Sequence, residues 1–214
     1  MKAISLLSGG KDSFLSLIIA LSVGMDVERT ITVKAEQDSY MFHYPNAELG
    51  SKLSEALGIS NSLIMESEFN RMISRYPGYF LIAGAVESEY QKTNLEEICE
   101  NFGLKTFFPL WRKNQESIIV DFISTGSEGI FVSVAAEGLG LNLLGKPINE
   151  DSLEILKKMN KKYGISIVGE GGEYETLITC SPFSETCIKI VHSVIIDRGI
   201  QKNLIIKNYE TVNP

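Results

Sequence analysis

An apolar stretch at residues 3–7 runs straight into Ser8-Gly9-Gly10-Lys11-Asp12-Ser13, and an amphipathic stretch over residues 11–23 follows without a break. A buried strand that delivers a Ser-Gly-Gly turn to the start of a helix is a trap for an anion. Glycines let backbone N–H groups approach a ligand closely, and the N–H groups and positive dipole end of the helix favour negative charge. Ser8 and Ser13 add hydroxyl donors, and Lys11 adds a countercharge. Asp12 cannot bind phosphate directly, so it implies a bridging Mg2+ or a structural hydrogen bond. The loop is not a Walker A loop, because Asp12 separates Lys11 from Ser13, and it is not G-x-G-x-x-G. A plain helix cap by Ser8 is the bland alternative; the Lys-Asp-Ser continuation and the strand in front favour phosphate.

The rest of the first half alternates. Phe14, Leu15, Leu17, Ile18 and Leu21 fall near helical spacing and Gly24 ends the helix. Strand-like runs at 27–33, 59–65, 79–86 and 105–110 alternate with helical stretches at 46–57 and 87–102. This predicts a doubly wound parallel sheet covered on both faces, with ligands beyond the carboxyl ends of its strands. Near Arg112 the pattern changes. Helical stretches at 115–124 and 152–163 accompany strand-like runs at 129–135, 174–180, 187–196 and 204–207. The expectation is a domain at 1–112 and a smaller α+β domain at 113–214. The polar, aromatic connection at 38–45 reads as a loop over the nucleotide site.

Composition narrows the function. Across 214 residues, 44% hydrophobic and 22% charged describe an ordinary globular chain. A formal net charge of −7 disfavours nucleic acid as a partner. Cys99, Cys180 and Cys187 show no C-x-x-C and no disulfide or zinc spacing, which fits a reducing, cytoplasmic setting. Lys11 and Asp12 interrupt any signal-peptide core, and the apolar run over residues 14–23 is shorter than the roughly 20 residues that span a bilayer. No membrane partner is expected.

The loop Ser8–Ser13 resembles the S-G-G-x-D-S signature of the N-type ATP pyrophosphatases, the PP-loop superfamily with its HUP/Rossmann-like fold. That resemblance implies ATP with Mg2+, and cleavage to AMP and pyrophosphate. Four further segments resemble the diphthine–ammonia ligase family across essentially the whole chain: Gly84-Ala85-Val86-Glu87-Ser88-Glu89-Tyr90-Gln91, Pro109-Leu110-Trp111, Glu137-Gly138-Leu139 before Leu144-Gly145-Lys146, and Gly169-Glu170-Gly171-Gly172-Glu173-Tyr174-Glu175-Thr176. Lys146 stands where arginine is as common, and Gly140 is an unusual neighbour; neither touches the phosphate loop.

The family resemblance implies the last step of diphthamide synthesis. The carboxylate of diphthine, on elongation factor 2, would be adenylated, and ammonia would displace AMP. The nucleotide residues are then Ser8, Gly9, Gly10, Lys11, Asp12 and Ser13, with Asp12 as the metal ligand. Lys11, Asp12, Glu170 and Glu173 are the catalytic candidates. Glu87, Glu89, Tyr90, Gln91, Trp111, Tyr174 and Glu175 are the substrate candidates, in which rings beside carboxylates suit a trimethylammonium group. The plain readings are charge at a helix start for Glu87 and Glu89, solvated hairpin carboxylates for the acidic loop, and interface packing for Trp111. His43 and His192 read as structural. No cysteine pairs visibly with a base, so free ammonia is the expected nitrogen donor. A homodimer is left open. The rival readings are a tRNA-modifying PP-loop enzyme and a non-catalytic ATP-binding regulatory module.

Overall fold

The computed structural model describes residues 1–34, 46, 48–136 and 138–214. The chain forms two compact units, Met1–Arg112 and Lys113–Pro214. The expected loop at 38–45, His43 and Glu137 lie outside the described residues.

In the first unit, β1 (Lys2–Leu6), β2 (Asp26–Lys34), β3 (Asn61–Met65), β4 (Phe80–Ile82) and β5 (Lys105–Phe107) form one parallel sheet in the order β3-β2-β1-β4-β5. The central strand β1 is apolar on both faces because both are covered. On one face Ile4, Ile31, Val33 and Leu81 pack with α3 (Phe69–Ile73) and α4 (Glu89–Asn101). On the other, Ala3 and Ile82 pack against Ala20 of α1 (Lys11–Ser22), and Thr30 meets Ser54 of α2 (Glu48–Ala56) through hydroxyls 2.6 Å apart. This is the doubly wound α/β arrangement expected. The strand order reverses between β1 and β4, and ligands bind at such a switch point.

Two local expectations need correction. The apolar run at 79–86 holds a strand of only three residues; Ala85 and Val86 are buried at 4% and 0% outside the ladder, so their apolarity reports packing rather than pairing. A 3-10 turn at Glu66–Glu68 and the short α3 were not anticipated, since five residues are too few to show a helical period.

The second unit consists of α5 (Gln115–Ser124), β6 (Glu128–Val134), α6 (Gly140–Leu143), α7 (Glu150–Tyr163), β7 (Tyr174–Cys180), β8 (Cys187–Arg198) and β9 (Gln201–Val212). Its sheet is antiparallel in the order β7-β6-β9-β8. Asn114 caps α5 through Ser117 N–H, and Asn149 and Ser152 form a reciprocal capping box on α7. Phe122 and Phe131, both fully buried, anchor its core. The sulfurs of Cys180 and Cys187 are bonded, correcting the expectation of three free thiols. The connection between β7 and β8 turns back so that the two Cα atoms lie 4.5 Å apart, a proximity that the spacing alone does not signal.

Leu81, fully buried in the three-residue β4, holds the sheet at the switch point. Leu81→Ala is expected to cost about 2–5 kcal/mol, read as a lower urea midpoint with unchanged far-UV circular dichroism before unfolding.

Candidate active site

The phosphate loop closes on itself through two hydroxyls. Ser13 Oγ donates to Gly10 C=O at 3.0 Å and accepts from Ser8 N–H at 3.2 Å. Ser8 Oγ lies 3.0 Å from Ser13 Oγ and accepts from Gly10 N–H at 3.3 Å. Gly9 has φ of 90°, a left-handed conformation that favours glycine. Gly10 is the N-cap of α1 and supplies no side chain to it. Lys11 is 2% exposed, and its Nζ donates to Asp12 Oδ2 at 2.8 Å. The cation is therefore buried and held by its neighbour's carboxylate.

Three residues outside the loop fix its position. A Cβ on Gly84 would come within 2.7 Å of Asp12 C and Ser13 N, and one on Gly50 within 2.8 Å of Leu7 O. Both distances are closer than real Cβ atoms tolerate, so the loop after β4 and helix α2 approach the phosphate loop backbone only as glycines. Thr32, buried in β2, donates its hydroxyl to Leu7 C=O at 2.8 Å and accepts from the Asn61 amide at 3.0 Å. Gly50 and Thr32 were missed from the sequence. A glycine inside a helical pattern is the one signal that was present, since it marks close backbone approach.

The segment after Gly84 opens α4. Ser88 is its N-cap and accepts from Gln91 N–H at 3.3 Å. Glu87 and Glu89 are exposed, Tyr90 is 59% exposed, and Gln91 is half-buried. Glu89 pairs with Arg112 at 2.6 Å. Trp111 is half-buried, with Lys92 Nζ 5.3 Å and Arg112 Cζ 5.7 Å from its ring centroid. The ring thus already engages two cations of its own chain.

The acidic segment lies in the second unit and is folded, not a solvated hairpin. Glu173 Oε1 accepts from Ser166 N–H at 2.8 Å, and its backbone carbonyl accepts from Ala135 N–H at 2.7 Å. Glu170 N–H donates to Ser166 Oγ at 3.2 Å. Gln115, at the start of α5, accepts from Ile167 N–H at 2.8 Å and from Ser166 Oγ at 3.2 Å, pinning the segment from outside. Glu175 is half-buried on β7, opposite Ser133. Tyr174 is 3% exposed, edge-on to Phe131, with its hydroxyl donated to Ile167 C=O at 2.5 Å. Its ring faces the core of the second unit, whereas Tyr90 is exposed and Trp111 half-buried. Among the described residues no group of three or more His, Cys, Asp or Glu side chains is placed to hold a metal ion.

A doubly wound sheet whose first strand hands a serine-bounded diglycine loop to a helix at the switch point defines a PP-loop nucleotide-binding protein. The diphthamide synthase N-terminal domain family matches residues 1–106, and its C-terminal domain family matches residues 114–212. The chain belongs to the diphthamide synthase family. It is 30% identical over 228 residues to a diphthine–ammonia ligase of Schizosaccharomyces pombe, a match covering 93% of this chain and 38% of that protein. The Danio rerio diphthine–ammonia ligase is 28% identical over 230 residues, covering 90% of each chain. The Homo sapiens one is 27% identical over 230 residues, covering 92% of this chain and 85% of that protein. A solved Methanocaldococcus jannaschii protein described as a predicted subunit of tRNA methyltransferase superposes with a TM-score of 0.48 at 14% identity, covering 85% of this chain and 98% of that chain.

Burial pushes the Cys99 thiol up to about 12, with Glu96 adding to the rise. The native protein is therefore expected to resist alkylation by iodoacetamide at pH 8, and to take up one label on unfolding without reductant and three with it. Gly84→Ala is expected to weaken ATP binding at least tenfold by isothermal calorimetry, with the melting temperature lowered by only a few degrees.

Proposed function

We propose that this chain is a diphthine–ammonia ligase, which uses ATP to convert the carboxylate of diphthine on elongation factor 2 into an amide. The observation that carries this reading is the phosphate loop at the switch point of a chain matched over both units by diphthamide synthase domains. The loop suits a polyphosphate: Gly9 turns the backbone, Gly84 leaves no Cβ in the way, and the start of α1 carries no side-chain cap.

A carboxylate is a poor acyl electrophile, because an oxide cannot leave. Its oxygen attacks the α-phosphorus of ATP, the bond from that phosphorus to the bridging oxygen breaks, and pyrophosphate departs with the charge. Ammonia then attacks the acyl carbon, AMP leaves, and the nitrogen loses a proton. Ser8, Ser13, Lys11 and the loop amides are assigned to the charge that develops on phosphorus and pyrophosphate, where each well-aimed donor contributes about 3 kcal/mol. Asp12 is the residue that would hold Mg2+, whose charge would offset that of the phosphates. Glu170 and Glu175 are assigned to the substrate cation or the incoming ammonia, with Glu173 holding their segment in shape. Neither Cys180 nor Cys187 is a free thiol and Cys99 is buried, which supports ammonia over a glutamine-hydrolysing cysteine. The cytoplasm is the assigned compartment, consistent with an elongation-factor substrate; among the described residues no helix is long and apolar enough to cross a membrane.

Incubation with ATP, ammonia and diphthine-bearing elongation factor should release AMP and pyrophosphate in equal amounts with the amide. ADP and phosphate as products would refute the scheme. Asp12→Asn is expected to lower turnover at least a hundredfold. A quaternary ammonium has no N–H to donate, so its recognition rests on ring faces and nearby carboxylates. Tyr90→Leu and Trp111→Leu should each reduce the preference for diphthine over its desmethyl analogue by about 2- to 30-fold. An unchanged preference ratio in both variants would move the cation site elsewhere.

A further inference from the structure

Strands β2 and β3 and helix α2 share one network of hydroxyls that leads to the phosphate loop. Thr30 and Thr32 are two residues apart on β2, so their side chains point to the same face. Both are fully buried, as is Ser54 of α2. Asn61, the first residue of β3, is half-buried and donates its amide Nδ2 to Thr30 Oγ1 at 2.7 Å and to Thr32 Oγ1 at 3.0 Å. Thr32 in turn donates to Leu7 C=O, and Ser54 donates to Ile59 C=O, each at 2.8 Å. The hydroxyls of Thr30 and Ser54 lie 2.6 Å apart.

A hydroxyl has one hydrogen to give, and this fixes the direction of every bond. Carbonyls only accept, so the hydrogens of Thr32 and Ser54 go to Leu7 and Ile59. Thr30 then donates to Ser54, and neither threonine has a hydrogen left for Asn61. An N–H has to meet them there. The Asn61 amide supplies two, one to each threonine, and both branches start from it.

The branches end at different places. One ends at Ile59, in the connection between α2 and β3. The other ends at Leu7, whose C=O shares a planar peptide with Ser8 N–H. Leu7 N–H donates to Ile31 C=O at 2.9 Å, and Ser8 N–H donates to Ser13 Oγ at 3.2 Å. The peptide that enters the phosphate loop is therefore bonded at one edge to Thr32 and at the other to Ser13.

We propose that Asn61 is a positioning residue for ATP, acting through Thr32 on the Leu7–Ser8 peptide and so on Ser13 Oγ. This rests on the phosphate loop being the ATP site. A network that merely paired buried hydroxyls would make its two branches equivalent: breaking either would lower stability, and neither would be selective for ATP.

Calorimetric titration of the full chain with ATP alone compares the branches. Thr32→Val keeps the branched shape and removes the hydroxyl; it is expected to weaken ATP binding about tenfold. Thr32→Ser keeps the hydroxyl and should bind within about twofold of wild type. Thr30→Val removes an equally buried hydroxyl from the other branch and should lower the melting temperature while leaving ATP affinity unchanged. Asn61→Asp replaces the donor with an acceptor that draws the Thr32 hydrogen away from Leu7, and should weaken ATP as Thr32→Val does. This substitution is at a half-buried position, so it carries the test if Thr32→Val fails to fold, as judged by far-UV circular dichroism. In turnover, the KM for ATP should rise in both variants and the KM for the diphthine-bearing factor should not. Wild type that does not bind ATP removes the reading of the loop and this proposal with it. Wild type that binds ATP, with Thr32→Val and Asn61→Asp binding equally well, overturns the role of Asn61 alone. So does a loss of affinity in Thr30→Val as large as in Thr32→Val.

Discussion

Two backbones that meet without a side chain between them govern the candidate site. Gly84 lies so close to the Asp12–Ser13 peptide that a single methyl group would have to displace main chain. Main chain is held on both sides, by β4 pairing with β1 and by the first turn of α1, so there is little room to yield. Gly50 applies the same constraint from α2 against Leu7 and Ser8. The phosphate loop is thus held from two directions, and its hydroxyl bonds between Ser8 and Ser13 close the third. A preorganised anion site needs donors that do not reorganise when charge develops, and this packing supplies it.

That geometry also explains the family-like block at 84–91. Its first residue is needed for contact with the phosphate loop, its Ser88 caps α4, and the residues that follow carry the exposed carboxylates and ring. One short stretch therefore joins the backbone contact with the phosphate loop to the exposed start of α4. The acidic segment of the second unit is organised differently. Glu173 and Tyr174 serve the segment's own shape, through Ser166 N–H and Ile167 C=O.

What could be read from the chain depended on how local the cause was. Helix α5 and strand β7 match their expected limits because their ends are written locally, by Asn114 at one and the change of pattern at Tyr174 at the other. The parallel sheet covered on both faces follows from alternation; its strand order does not. Strands β8 and β9 run longer than expected, since their outer halves are exposed and lose the alternation that burial imposes. The buried role of Tyr174 depends on Phe131 and Ile167, and the supports Gly50, Thr32 and Gln115 act across many residues of chain. The Cys180–Cys187 bond likewise depends on how a turn is folded, which spacing does not state.

Arg112, the last residue of the first unit, holds φ at 53°, where a side chain other than glycine is strained by roughly 1–3 kcal/mol. Its N–H is bonded to Val86 C=O at 2.8 Å and its guanidinium to Glu89. The covalent exit from the nucleotide-binding unit is therefore moored to the same loop that touches the phosphate site through Gly84. Any change that displaces residues 84–89 therefore also displaces the anchors that hold Arg112 in its strained backbone.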